Sequence, residues 1–496
     1  MLDLTAEVKQ TDSLNNNTII AMSQYQTASK DIVPFDQKIA FGAGTLTLNL
    51  LPASIAIFAT YLIVAFGMDP LLAGIVGALP RLLDAITDPI MGFITDNTRS
   101  KWGRRRPYIM AGAFASGIIF SLMWQLDAAN SETYTFWYFL SMSLLFTLGN
   151  TMYATPLVGL GYELTSDYNE RTRIMAFSQF IGQIAWMIVP WIWVLVPSDL
   201  FADQGEGVRQ LSIVVGVICT ALGILPAIFC KGIESSRIEN TKDLSMKEIG
   251  NNFMEVLRNI VTAFKNTQFL RLCLATFLIF NGFQLVSTFS YFIILFHMFG
   301  GSTDAAGTWP AWFGTMSAVA SAFVVIPIVT WMANKWGKRN AFLISTSISI
   351  VGYLLRWYGF SPENPYLMFL PIPLFAFGIG GLFTVMMSMT ADVCDLDELN
   401  NGMPRKEGTF GAIYWLMVKL GQALALFLGG VVLKLSGFEA GAAIQTVDAM
   451  TNLRLADIFI TSGTAAIAIF IMLGYNITEQ RAHEIKEQLV ARRGEL

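Results

Sequence analysis

Twelve apolar runs, separated by loops whose positive charge alternates, constrain this chain more than any other feature. The runs fall near 39–67, 70–96, 107–126, 134–161, 174–197, 211–230, 269–299, 309–333, 341–360, 364–390, 408–436 and 455–475. A helix crosses a bilayer with about 20 apolar residues, and residues 39–67 and 107–126 hold no charged side chain at all. Lipid offers the backbone no hydrogen-bond partners, so runs of this kind must fold as helices. Lys and Arg gather after the second run (Arg99, Lys101, Arg104, Arg105, Arg106), the fourth (Arg171, Arg173), the sixth (231–268), the eighth (Lys335, Lys338, Arg339) and the tenth (Arg405, Lys406), and in the tail. The alternate loops carry little positive charge beyond Arg209 and Arg454. Positive loops stay on the cytoplasmic side, which puts both termini there and requires an even number of spans.

The sequence divides six from six. It reads as a polar tail (1–37), a first six-helix bundle (38–231), a middle loop holding an amphipathic helix (232–268), a second bundle (269–476) and a short tail (477–496). The basic turn "KWGRR" after the second run returns as "KWGKR" after the eighth. Charge alone would satisfy topology, but the shared Trp-Gly points to two related halves, a construction common in transporters that bind substrate where the halves meet. The fold class expected is therefore an all-α membrane protein of two pseudo-symmetric bundles. With 14% charged residues and a net charge of −4, no basic face for nucleic acid is present. Four scattered Cys and two His lack metal or disulfide spacing. No HExxH, P-loop or CxxC motif occurs, so neither an enzyme nor a cofactor is expected.

The stretch "LLDAITDPIMG" (82–92) puts two acids into the second apolar run. A charge at the bilayer centre costs at least about 2.5 kcal/mol. Asp84 and Asp88 are four residues apart and share a helix face. Thr87 adds a hydroxyl, and Pro89, lacking an N–H, leaves the carbonyl of Ala85 without its helical donor. Such an oxygen cluster suits a small hard cation such as Na⁺; a carboxylate of raised pKa would instead take H⁺. The competing possibility is a structural pairing of these acids with Arg81 and another basic residue.

The segment "RLLDAITDPIMGFITDNTRSKWGRRRPY" closely resembles the second helix and following loop of the glycoside–pentoside–hexuronide:cation symporters, a melibiose permease-like branch of the major facilitator superfamily. "TPLVGLGYELTSDYNERTR" (155–173) and "ADVCDLDELNNGMPRKEGTFGAIYWLMVKLGQALA" (391–425) resemble further segments of that family. The resemblance implies a bacterial inner-membrane symporter importing a sugar, glycoside or uronide by alternating access. Its partners would be a small carbohydrate, Na⁺ (or H⁺) and the bilayer, and the working unit a monomer. It implies a cation site at Asp84, Thr87, Asp88 and Thr151. Positions that bind sugar in the melibiose permease-like members fall here on Ala154, Val158 and Gln179.

For the sugar, buried polar and aromatic residues supply the candidates Thr47, Asn49, Arg81, Asn150, Gln179, Gln183, Trp186 and Trp415; each polar one could equally make a helix–helix hydrogen bond. Lys419, an intramembrane cation, could meet a substrate anion or pair with a carboxylate such as Asp84 across the halves. A gate between the halves on the cytoplasmic side, with pairs that form in the outward-facing state and break on opening inward, is expected from Arg99, Arg104, Arg106, Arg171, Arg173, Asp392, Asp395 and Arg405.

Overall fold

The computed structural model describes residues 32–165, 167–231, 245–401 and 407–493. Helices account for almost all of it. In chain order they are α1 (Phe35–Val64), α2 (Pro70–Asn97), α3 (Arg106–Met123), α4 (Glu132–Glu163), α5 (Tyr168–Ile188, extended by a tight turn to Leu195) and α6 (Gln204–Gly223, extended to Phe229). The interface helix α7 (Met246–Ala263) follows. The second half holds α8 (Thr267–Phe292, continued to Met298), α9 (Trp309–Val319, continued through a widened π turn into Ile326–Trp336), α10 (Lys338–Gly359), α11 (Ile372–Asn401), α12 (Glu407–Leu435) and α13 (Val447–Leu473); α14 (Glu479–Arg493) closes the chain. Eleven helical segments are long and apolar enough to cross a membrane. With the more polar α4, 32 residues long, the described residues supply the twelve crossings expected.

Short polar residues in the loops start the helices. Asp69, Ser131, Asp167, Asp203, Asn266 and Thr446 each accept a backbone N–H of the following first turn, satisfying donors that a helix leaves unpaired. The repeated basic turn serves the same purpose in each half. Arg106 donates to the carbonyls of Ala227 (2.6 Å) and Ile228 (3.0 Å) at the end of α6. Arg339 donates to Met472 (3.3 Å) and Leu473 (2.5 Å) at the end of α13. Arg104 and Arg105 grip Glu163 of α4 at 2.5 and 3.0 Å, and Lys338 grips Asp392 of α11 at 2.7 Å.

In this conformation several residues of the expected gate are held within their own half. Arg104, Arg106 and Asp392 bind within their own half. Arg171 donates to the Thr165 carbonyl, and Arg173 pairs with Glu170 three residues earlier. Arg99 is exposed, Asp395 lies in α11, and Arg405 falls outside the described residues. The physical reason is local: Arg104 and Arg106 find a carboxylate or unpaired carbonyls at the end of a neighbouring helix of their own bundle, and Arg171 and Arg173 find acceptors within six residues in the chain.

The halves instead meet at the end opposite the termini. Trp193 of the α5 extension stacks on Tyr291 of α8, with ring centroids 4.9 Å apart, and Tyr61 of α1 flanks the same ring. Thr315 of α9 donates to the Met187 carbonyl of α5 (2.9 Å), and Gly441 to the Ile63 carbonyl (3.1 Å). Asp69, at the start of α2, pairs with Lys434 of α12 at 2.7 Å. Below that pair α2 and α12 touch backbone to backbone: a Cβ on Gly430 would lie 2.2 Å from the Pro70 carbonyl and 3.0 Å from the Gly74 Cα. At the terminus-bearing end, α7 lies against both α2 and α12.

Two predictions follow from this seam. Gly430→Val pushes α2 and α12 apart and lowers thermal stability by about 1–3 kcal/mol, read by melting of the purified protein; an unchanged melt would contradict the close approach. At Asp69, burial works against ionisation, but the hydrogen bonds from Lys434 and the Leu71 N–H outweigh it and hold the carboxyl below its ordinary value. A depressed carboxyl stabilises above its unfolded pKa of about 3.9 and loses that contribution as pH falls through the folded value. Spin labels across the α2–α12 end should therefore keep their spacing from pH 8 to 5 and separate only below about pH 4.

Candidate functional site

Asp84 and Asp88 sit in the middle of α2, which runs unbroken through Pro80 and Pro89. Asp84 is 7% exposed. Lys419 of α12 comes from the other half and bridges both acids: its Nζ is 2.7 Å from Asp84 Oδ2 and also pairs with Asp88 Oδ2. The second half thus places a positive group where the sequence leads one to expect a cation.

Helix α4 completes the cluster. Thr151 donates to Asp84 Oδ1 (3.0 Å), and Thr151 and Thr87 share a hydroxyl hydrogen bond of 3.1 Å. The Thr87 hydroxyl also lies 3.4 Å from the carbonyl oxygen of Asp84. All four expected cation-site residues are brought together. Thr155, missed at the sequence level, joins them by donating to Asp88 Oδ1 at 3.4 Å. Its signal was present: it lies four residues after Thr151, on the same face of the helix. Two carboxylates and three hydroxyls make an oxygen set of the kind hard cations prefer. Among the described residues no group of three or more His, Cys, Asp or Glu could hold a metal.

Arg81 is half-buried one turn before Asp84. Among the described residues it makes no hydrogen bond or ion pair, so the structural pairing of an acid with Arg81 does not form; Lys419 takes both acids.

The sugar candidates separate into two groups. On α5, Gln179, Gln183 and Trp186 form one exposed stripe. Glutamine side chains facing lipid would be costly, so this stripe lines the cleft between the halves. Trp186 donates to Asn49 of α1 (3.2 Å), whose amide donates to the Thr45 carbonyl (2.9 Å). Across the cleft, Trp415 shares a face of α12 with Lys419 and is 46% exposed. Asn150 is buried on α4, with its side-chain oxygen unpartnered. Thr47 belongs elsewhere: it is fully buried and donates to the Cys219 carbonyl of α6 at 3.2 Å. Its expected sugar contact is replaced by a helix–helix bond, because its position on α1 faces α6 rather than the cleft. Other intramembrane polar groups are similarly occupied. Asn281 donates to the Gly421 carbonyl, and Arg356 pairs with Asp457 (2.8 Å) and Ser290 inside the second half.

Two partly open pockets lie away from the acids. A polar cavity of about 600 Å³ is bounded by α7, α8, α11 and α12, with Lys265, Asn266 and Asp397 in its wall. An aromatic groove of about 620 Å³ runs along α9 beside Trp309, Trp312 and Tyr366. Neither includes a residue of the cation cluster.

Two six-helix bundles with two acids and a lysine joined on their shared seam point to a secondary transporter of the major facilitator type. The family described as "MFS/sugar transport protein" matches residues 40–479, and the chain belongs to it; the glycoside–pentoside–hexuronide:cation symporter type expected from the α2 motif stands. Its members are membrane transporters, not enzymes. Among curated relatives, an uncharacterized symporter of Synechocystis sp. is 26% identical over 95% of this chain and 99% of its own length. The isoprimeverose transporter of Lactiplantibacillus pentosus is 23% identical over 94% of each chain. The fold is shared with a bacterial homologue of the human lysosomal transporter Spinster, solved inward-facing and occupied: TM-score 0.65, 14% identity, 90% of this chain and 97% of that one.

The shared-charge arrangement has a direct test. Lys419→Met leaves two neighbouring carboxylates without a counter-charge and costs about 1–3 kcal/mol, reduced from a fully buried pair by the partial exposure of Asp88. Adding Asp88→Asn removes the repulsion and recovers part of the loss. Equal melting of the single and double variants would contradict a common site.

Proposed function

We propose that the chain imports a sugar by alternating access, coupled to Na⁺ bound among Asp84, Asp88, Thr87 and Thr151. The observation that carries this reading is the Lys419 bridge. The coupling ion and the ammonium compete for the same carboxylate oxygens, and the ammonium belongs to the other half. When Na⁺ enters, Lys419 is released, the tie between α2 and α12 at mid-membrane is loosened, and α12 becomes free to answer to the sugar. Thr151, Thr87 and Thr155 favour a metal cation over a bare proton, since a proton needs no neutral oxygens around it. The stripes of Gln179, Gln183 and Trp186 on one side and Trp415 on the other provide amides and ring faces for a polyol. By linkage, sugar and ion raise each other's affinity by one factor.

With the basic loops placed on the cytoplasmic side of a bacterial inner membrane, the closed aromatic end faces outward and the conformation is inward-facing. The working unit is a single chain, because both halves of the site are present in it. The relative named an isoprimeverose transporter supports a carbohydrate cargo.

In proteoliposomes, Asp88→Asn should abolish Na⁺-driven sugar uptake, by at least about tenfold, through loss of a charged ligand. Thr151→Val should raise the half-saturating Na⁺ concentration about fivefold, the worth of one neutral oxygen contact. Uptake driven equally well in Asp88→Asn would refute the site; uptake that follows pH and ignores Na⁺ would make the coupling ion a proton.

A further inference from the structure

The aromatic groove along α9 takes no part in the ion cluster or the cleft. Trp309, Trp312, Met316, Ala320 and Val324 recur every three or four residues, so one face of the helix forms its floor. Tyr366, Phe369 and Ile372, from the turn before α11 and its first residue, form the facing wall. From Trp309 to Val324 the floor is about 22 Å long at 1.5 Å per residue. Half of a bilayer, headgroup region included, is about 20–22 Å. The groove thus opens at the closed aromatic end and stops at mid-membrane. There α11 meets α9 directly: a Cβ on Gly380 would lie 2.4 Å from Val325 Cγ1.

The lining selects the occupant. Hydroxyls of Thr308 and Tyr366 and the indoles of Trp309 and Trp312 mark the mouth, at the level where such side chains meet headgroups. Below Trp312 the wall is apolar, and among the described residues no charged or amide side chain lines it. A polyol entering it would leave water without gaining partners. An empty slot of about 620 Å³ would forfeit the dispersion contacts of its walls, and the medium around it is lipid. A hydrocarbon chain fits both the length and the chemistry.

Trp312 belongs to the groove and to the seam between the halves. Its ring meets Trp191 of the first half edge-on, with centroids 5.4 Å apart. Just beyond it a Cβ on Gly314 would lie 2.6 Å from Pro190 Cγ, and Thr315 donates to the Met187 carbonyl. We propose that the groove holds one acyl chain of a phospholipid from the leaflet at the closed end, and that this chain braces α9 against α5. Opening that end separates α9 from Trp191, so occupancy shifts the equilibrium toward the closed form. The inference uses neither the cargo nor the coupling ion and fails separately from both.

The test uses the purified full chain in phosphatidylcholine nanodiscs carrying a trace of phosphatidylcholine with a diazirine on its acyl chain. After photolysis, mass spectrometry should find adducts on the 309–324 peptide at least about fivefold above those at Phe459 of α13, a 68% exposed position without a groove, an excess of the size expected from filling a void. Val324→Trp, which fills the lower end, should abolish the excess and leave Phe459 unchanged; should it fail to fold, Met316→Trp takes its place. Spin labels at Leu200 and Ile444, exposed in loops of the two halves at the closed end, report the brace. In a sterol-type detergent without acyl chains, added phosphatidylcholine should raise the ratio of close to separated spacings by at least about threefold, the differential affinity for the closed form. The filled variant should not respond. Equal labelling at both positions would leave only the ordinary lipid coat and overturn the site, as would an excess that survives in the filled variants. Cross-links between two chains through the groove would assign it to a second copy instead. A spacing indifferent to phosphatidylcholine would overturn the brace.

Discussion

One ammonium between two carboxylates holds the centre of this molecule. Lys419 reaches from the second half to Asp84 and Asp88 in the first. Two like charges one helical turn apart in a low-dielectric seam repel strongly. Their coexistence there requires a positive group, and the fold draws it from the opposite bundle. The close backbone approach of α2 and α12 at Gly74 and Gly430 brings the two helices near enough for a lysine to span the gap. The acid pair and the bundle interface are therefore one structural feature, and a change in the charge of one alters the cohesion of the other.

Around that centre the halves are alike in their scaffolding and different in their interiors. The basic turn binds the end of the last helix of its own half in both cases, through Arg106 in the first and Arg339 in the second. By sequence, Arg339 aligns with Arg105. The structure moves the task one residue along, because α3 begins three residues after the turn's glycine while α10 begins one residue after it. Deeper in, the second half carries the buried Arg356–Asp457 pair. Near the corresponding place the first half carries Trp124, packed against Phe139 and Phe58. Pseudo-symmetry governs the helix ends, where unpaired carbonyls set the demand, and relaxes in the cores, where any well-packed or well-paired group suffices.

Legibility followed the same division. Asp84 and Asp88 could be picked out because an acid in an apolar run is costly and spacing reports a shared face, and Thr87 because it lies beside them; Thr151 was implied only by the family resemblance. Thr155 escaped because a threonine inside a helix carries no such cost and blends with its neighbours. Thr47 was misplaced for the converse reason: a polar residue in an apolar run announces a hydrogen bond without naming the partner, and here it is the Cys219 carbonyl. Of the expected gate residues, Arg104, Arg106 and Asp392 have partners within their own bundle, since a helix terminus of the same half is nearer than the opposite half in this conformation.

By itself the sequence determined what lipid and charge enforce locally: a chain of apolar helices, the alternating basic loops, two related halves, and a pair of acids on one helix face. Each of these rests on the cost of a polar group in hydrocarbon, which depends on a residue and its near neighbours in the chain. Only the tertiary structure decided which charges meet. Lys419 lies 331 residues from Asp88, and nothing in either segment states whether that lysine turns to the cargo, to one acid or to both. The choice among these follows from the packing of α12 against α2.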